Sequence, residues 1–174
     1  MNEKQGYLDH QKGIISEQEV MQYVFERFED VKQAQKIKNL VDFQAMNKYM
    51  LMSHDQEELK KLGNIVAKYK KIPFFEILEY YESHLQKALE NQPTIKKHSN
   101  VLMHIFGYFS KEFNAHERKI FFDLLEKYRE EKITLGEILL EINPIIFRFN
   151  NTYLASQTYF LLYSNVPPRI FSNL

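Results

Sequence analysis

The sequence contains no cysteine. That absence excludes a disulfide framework, an iron–sulfur cluster, a thiolate zinc site and a cysteine nucleophile, and leaves any metal to His and carboxylate ligands. Tryptophan is also missing, and only five glycines occur in 174 residues. They build no Walker loop and no dinucleotide fingerprint, and no H-E-x-x-H or G-x-S-x-G string is present. Phosphoryl transfer, α/β-hydrolase chemistry and Rossmann cofactors are therefore disfavoured, and neither a cofactor nor a resident metal is expected. Long hydrophobic runs are lacking as well. The best stretch, Val101 to Phe109, is interrupted by His104 and Gly107 and falls far short of the about 20 apolar residues that cross a bilayer. Met1 to Ile15 mixes Glu3, Lys4, Asp9, His10 and Lys12 and has no signal-peptide core, so a cytoplasmic protein without membrane contact is expected. No charge of one sign dominates: Lys and Arg total 23, and so do Asp and Glu. Nucleic-acid affinity would have to come from a local patch.

What is present suits a folded globule. Apolar residues make up 44% and charged residues 26%, far from a disordered composition, and the length is that of one domain. Ser16 and Glu19 have capping-box spacing and open a helix over about Glu17 to Phe28. The apolar positions Leu40, Phe43, Met50 and Leu51 predict a second helix, Ile37 to Ser53, with a polar notch at Gln44, Asn47 and Lys48. A restart at Ser53, His54 and Asp55 leads into a third, to about Lys70. Pro73 suits the first turn of the next, where Ile77, Leu78, Tyr81, Leu85, Ala88 and Leu89 trace an unbroken helical stripe. Ser99 to Phe109 is apolar on nearly every side, as a helix in the middle of a bundle would be. Gly107 inside it suggests that another backbone or a ligand passes close by. Asn114 with Glu117, and Thr134 with Glu137, open two further helices, the latter kinked or ended by Pro144. A last helix, Thr152 to Tyr163, is terminated by Pro167 and Pro168. No alternating β-branched runs argue for strands. The expectation is an all-α, single-domain bundle of seven or eight helices with short connections over residues 16–174, behind a flexible arm at 1–15.

Polar groups are densest in the apolar helix that begins at His98. At about 100° per residue, Asn100, His104, Gly107 and Lys111 share one face, giving a donor, an imidazole and a bare backbone strip. The blander reading is a buried histidine hydrogen-bonded to a neighbour. His98 and His104 are six positions apart, so their rings diverge by about 120° and do not chelate a common metal. Lys96 and Lys97 lead into this segment, and Lys60, Lys68 and Lys71 line one flank of the third helix. Such lysines can meet phosphates, although alone they describe an ordinary solvated face.

The run His98, Ser99, Asn100, Val101, Leu102, Met103, His104, Ile105, Phe106, Gly107, Tyr108, Phe109 resembles the signature H-x-N-V-L-x-H-x-x-G-Y-F of the YbgA-like family of bacterial domains of unknown function. Lys48, Leu51 through His54, Leu62 and Gly63, Val66 and Ala67, Glu117 and Arg118, Tyr128 and Arg129, and Tyr153 and Leu154 with Gln157, Tyr159 and Phe160 follow in the family's order, so the resemblance spans about Val20 to Tyr163. Two positions depart from it: Gln44 to Lys48 replaces a more basic run, and Pro144 stands where a histidine is common. The family domain is often fused behind a cysteine-bearing desulfidase domain, so the resemblance implies an accessory domain that holds thiolated tRNA. Lacking cysteine, this chain cannot carry the iron–sulfur cluster of such desulfuration and would need a desulfidase-type partner.

Three functional readings follow. The first is a nucleic-acid-binding, tRNA-directed domain using Lys48, His54, Lys96, Lys97, His98, Asn100, His104, Tyr108, Arg118 and Arg129 around one groove. There Lys and Arg would position phosphates and a tyrosine would stack on an unpaired base. The second is a small-molecule enzyme or sensor built on His54, His98 and His104. The third is a structural protein that docks through Phe and Tyr.

Overall fold

The computed structural model describes residues 15–148 and 152–164, apart from the side chains of residues 146 and 147. The arm expected at 1–15, but for its last residue, and the prolines at 167 and 168 lie outside the described residues.

The helices begin where the capping residues stand. At the start of α1 (Glu17–Ala34), Glu19 N–H donates to Ser16 Oγ at 3.2 Å and Ser16 N–H donates to Glu19 Oε2 at 2.9 Å, so two otherwise orphaned amides are satisfied. Val20, Val24, Phe28 and Val31 then form its buried stripe, which carries the helix beyond the expected end at Phe28. Next come α2 (Ile37–Met46) and α3 (Lys48–His54). Asp55 accepts from Glu57 N–H and Glu58 N–H and caps α4 (Gln56–Ala67). Pro73 stands immediately before α5 (Phe74–Glu90), Thr94 caps α6 (Ile95–Phe109), and an Asn114–Glu117 capping box opens α7 (Ala115–Arg129). Thr134 and Glu137 exchange bonds of 2.6 and 3.2 Å ahead of α8 (Leu135–Arg148). The short α9 (Thr152–Ala155) and α10 (Thr158–Tyr163) complete the described chain. The protein is all-α. Among the described residues there are ten helices, eight of them seven residues or longer, and no strand. None is long and apolar enough to cross a membrane.

The helices pack around one aromatic-rich core. Phe28, Phe43 and Tyr81 meet with ring centroids 5.5 to 6.0 Å apart, joining α1, α2 and α5. α4 lies along α5, α6 packs between α3 and α7, and α10 returns to lie against α3 and α8. This return brings the chain's C-terminal tyrosines onto the N-terminal half.

Three expectations change. The helix expected over 37–53 is two helices, because Asn47 takes the bridge conformation (φ −98°, ψ 4°) and its side chain donates to Phe43 O at 2.8 Å. The break separates Ala45 C=O from Tyr49 N–H, partners four residues apart in a continuous helix. Gln157 fills the gap: its Nε2 donates to Ala45 O at 2.7 Å and its Oε1 accepts from Tyr49 N–H at 3.3 Å. The polar notch is thus a clamp, and Gln44, one of the departures from the family pattern, accepts from the Tyr81 hydroxyl. Of the kink or end expected at Pro144, the end does not occur: the helix continues to Arg148 on the buried anchors Ile138, Leu139 and Ile142. Proline removes one backbone bond, and the apolar stripe before it is already docked.

The third change concerns α6, which is amphipathic rather than central. Val101, Leu102, Ile105 and Phe109 are buried, while Met103, His104, Gly107 and Tyr108 are exposed. A Cβ added at Gly107 would meet nothing within 4 Å, so no neighbouring backbone requires glycine there. Replacement Gly107→Ala should therefore stabilise the fold by about 0.5–1 kcal/mol, the helix-propensity difference. Urea unfolding checks it, and destabilisation would reveal a backbone constraint at this position.

Candidate functional site

The signature segment spreads its polar groups over two faces of α6. Asn100, His104 and Lys111 lie toward solvent, together with Tyr108, whose ring stacks on Tyr153 at 6.2 Å. His98 lies on the opposite, buried face. The six-residue spacing of the histidines therefore sends one outward and one into the bundle. Among the described residues no three His, Asp or Glu side chains gather as a metal ligand set.

On the outer side, the first turns of α6 and the end of α7 enclose an open hollow of about 650 Å³ that gathers Lys96, Asn100 and Arg129 with Ser99 and Met103. Asn100 is oriented by a 3.1 Å bond from its Nδ2 to Gln56 Oε1. Arg129 donates from Nη1 to Glu126 Oε1 at 2.6 Å, which steadies the guanidinium while using one of its several N–H groups. Ser99 is 4% exposed, and its Oγ has no hydrogen-bond partner among the described residues. A buried hydroxyl without a partner costs about 1–3 kcal/mol.

On the inner side is a connected polar network. His54 Nε2 lies 2.7 Å from Glu17 Oε2, while its Nδ1 donates to Met50 O at 2.9 Å. Tyr163 donates its hydroxyl to the same carboxyl at 3.0 Å. With Nδ1 committed to a carbonyl, the bond between Nε2 and Glu17 needs one proton shared by the pair. Beside it, His98 Nδ1 is 2.8 Å from Tyr159 Oη, and its ring stands edge-on to Tyr163 at 5.1 Å. Burial, reinforced by the nearby His54 and Lys97, drives the His98 pKa down to about 3, so this imidazole is neutral at physiological pH. Burial also holds the hydroxyls of Tyr159 and Tyr163 well above the usual phenol range, so both remain donors.

The ten residues anticipated for one groove therefore part company. Lys96, Asn100 and Arg129 converge; His54 and His98 are enclosed with internal partners; His104 and Tyr108 lie exposed farther along α6. Lys97 bonds its ammonium to Gln92 O at 2.9 Å, and Arg118 donates to Ser110 O at 2.6 Å. Lys48 lines a different hollow, beside Gly63 and Val66. Of the groups that sequence reasoning passed over, Ser99 lay inside the signature and Tyr159 and Tyr163 lay in the tyrosine-rich C-terminal segment. Glu17 carried no signal at all, because an acidic first-turn residue is already explained by its helix.

Residues 48–164 match the family described as "Protein of unknown function (DUF1722)". The "Uncharacterized protein YbgA" of Escherichia coli (strain K12) is 29% identical over 130 residues, which cover 73% of this chain and 76% of that protein. No solved structure matches.

Proposed function

Because the chain belongs to the DUF1722 family, whose match contains the whole α6–α7 hollow, we propose that this hollow makes it an RNA-binding accessory domain. The RNA is taken to be tRNA, presented to a desulfidase-type partner. The observation that carries the reading is the convergence of Lys96, Asn100 and Arg129 on one water-open recess. Ammonium and guanidinium groups hold phosphate oxygens, and the guanidinium fork suits them in pairs. The Asn100 amide adds directional bonds, including to a ribose 2′-OH. Tyr108, 52% exposed, offers a face to an unpaired base farther along α6. With no net charge on the chain, attraction must come from local patches such as this one.

Filter binding of tRNA at graded salt tests the proposal. Affinity should fall with salt at a log–log slope near −0.7 to −0.9 for each phosphate held, about −1.6 for the two cations. The double variant Lys96→Glu, Arg129→Glu should lose about tenfold in affinity and most of that slope. Binding that is indifferent to salt, or untouched by the double reversal, would count against the hollow.

A further inference from the structure

On the other side of the first turns of α6 lies a second recess of about 370 Å³, bounded by the start of α1 and the connection from α7 to α8. It falls in the size range of small-ligand pockets, about 300–1,000 Å³. Its walls carry the rings of Tyr128 and Tyr163 with Ile95, Ile133 and Leu135. The two recesses adjoin: both are lined by Ile95, His98 precedes Ser99 and Asn100 along α6, and Tyr128 precedes Arg129 on α7.

His98 gives the inner recess a directional group. It is 8% exposed, and its Nδ1 is occupied by Tyr159. Among the described residues the Tyr159 hydroxyl has no other acceptor, so it donates to Nδ1 and places the imidazole proton on Nε2. Nε2–H has no partner among the described residues, and it remains a neutral donor because burial keeps the ring uncharged. The charged lining is acidic: Glu17, Glu131 and Glu137 face one cation, Lys132, which is held 2.5 Å from Glu130. Such a lining accepts N–H groups and repels phosphate.

We propose that this recess receives a nucleobase carrying a carbonyl beside a ring N–H, as uracil and guanine do. The carbonyl accepts from His98 Nε2–H, the ring N–H donates to a lining carboxylate such as Glu17, and the ring lies against Tyr128 or Tyr163. The proposal rests on the RNA reading of the neighbouring hollow and deepens it: the phosphate stays outside on Lys96 and Arg129 while a splayed-out base turns inward past Ile95.

The test uses the full chain and free nucleosides, without RNA. Uridine should shift the His98 imidazole resonances in long-range ¹H–¹⁵N spectra saturably. Ribose should leave them unmoved, and cytidine, which lacks the ring N–H, should bind about tenfold more weakly than uridine. Tyr128→Leu should weaken uridine by about tenfold, and Tyr128→Phe should retain it. His98→Phe, offered alongside in case the leucine variant folds poorly and read by calorimetric titration, should weaken uridine and cytidine alike by about tenfold, because it removes the donor to the carbonyl and leaves the carboxylate that tells the two apart. A His98 signal indifferent to uridine, or equally responsive to ribose, overturns the base site. If salt-dependent tRNA binding persists in that case, the base site alone has failed. A uridine response without salt-dependent tRNA binding sinks the phosphate hollow and leaves the base site standing.

Discussion

Acidification from pH 6.5 to 4.5 should remove about 2–3 kcal/mol of folding stability through His98 alone, and His98→Phe should erase that portion of the loss. The sign follows from where the proton goes. In the folded chain burial lowers the His98 pKa to about 3, whereas the unfolded chain titrates near the ordinary 6.5. Between those values only the unfolded state takes up the proton, so stability is complete above about pH 6.5 and drains away as the pH falls toward 3. The carboxylates that add to acid lability act lower. Burial works against the charge of Glu58, but the bonds from Lys61 and His84 outweigh it and hold its pKa below 4.5. Its contribution is therefore lost mainly below about pH 4.5, beneath the interval from pH 6.5 to 4.5 over which His98 is compared. Urea midpoints at pH 7 and pH 4.5, compared between wild type and His98→Phe, isolate the histidine. Equal acid losses in the two proteins would show that His98 is hydrated rather than enclosed. Phenylalanine keeps an aromatic ring against Tyr163 and leaves the Tyr159 hydroxyl without its acceptor, so the variant should be weaker at pH 7 and less sensitive to acid. That crossing pattern distinguishes loss of a titrating group from general damage.

How far the sequence could be read depended on whether a residue's partner lay nearby in the chain. Each capping residue and its N3 glutamate are three positions apart, and the boxes at Ser16, Asn114 and Thr134 stand where their spacing predicts. The stripe from Ile77 to Leu89 is equally local. The break at Asn47 could not be foreseen, because the amide that completes the interrupted backbone bond belongs to Gln157, 112 positions from Ala45. Helical periodicity runs straight through such a site. The candidate hollow followed the same rule. That Asn100 and Lys96 share a face is a property of one helix, whereas the arrival of Arg129 beside them depends on how α7 docks.

The signature itself mixes two roles that spacing alone cannot separate. His104 and Tyr108 lie toward solvent, while His98 lies toward the core, where its neighbours Tyr159 and Tyr163 come from the last described helix. A string of polar residues in an apolar helix looks like one site, yet here it serves an outer cation-bearing recess and an inner aromatic one. The first turns of α6 form the partition between them, and under the proposed reading a single strand of RNA would cross it to engage both.

The inner recess stands on Glu17, and its removal should be the most damaging of the single changes considered. Glu17→Ala deprives His54 and Tyr163 of their shared acceptor, the one at 2.7 Å and the other at 3.0 Å. His54 is 1% exposed, so its freed Nε2 cannot readily turn to water. Leaving a buried donor without its acceptor costs about 1–3 kcal/mol; with two donors affected and the Glu17 side chain 22% exposed, a loss of about 2–3 kcal/mol is expected. Glu17→Gln should cost less, since its amide oxygen still accepts from one of the two donors. Tyr163→Phe removes the other donor, and the double variant Glu17→Gln, Tyr163→Phe should show a coupling of about 1 kcal/mol. Denaturant unfolding of the four proteins completes the cycle. A loss below about 0.5 kcal/mol for Glu17→Ala, the range of ordinary surface substitutions, would mean that solvent already satisfies His54. The inner recess would then be a wet surface cleft, and its neutral histidine donor would lose the dry surroundings that the proposed selectivity for a base requires.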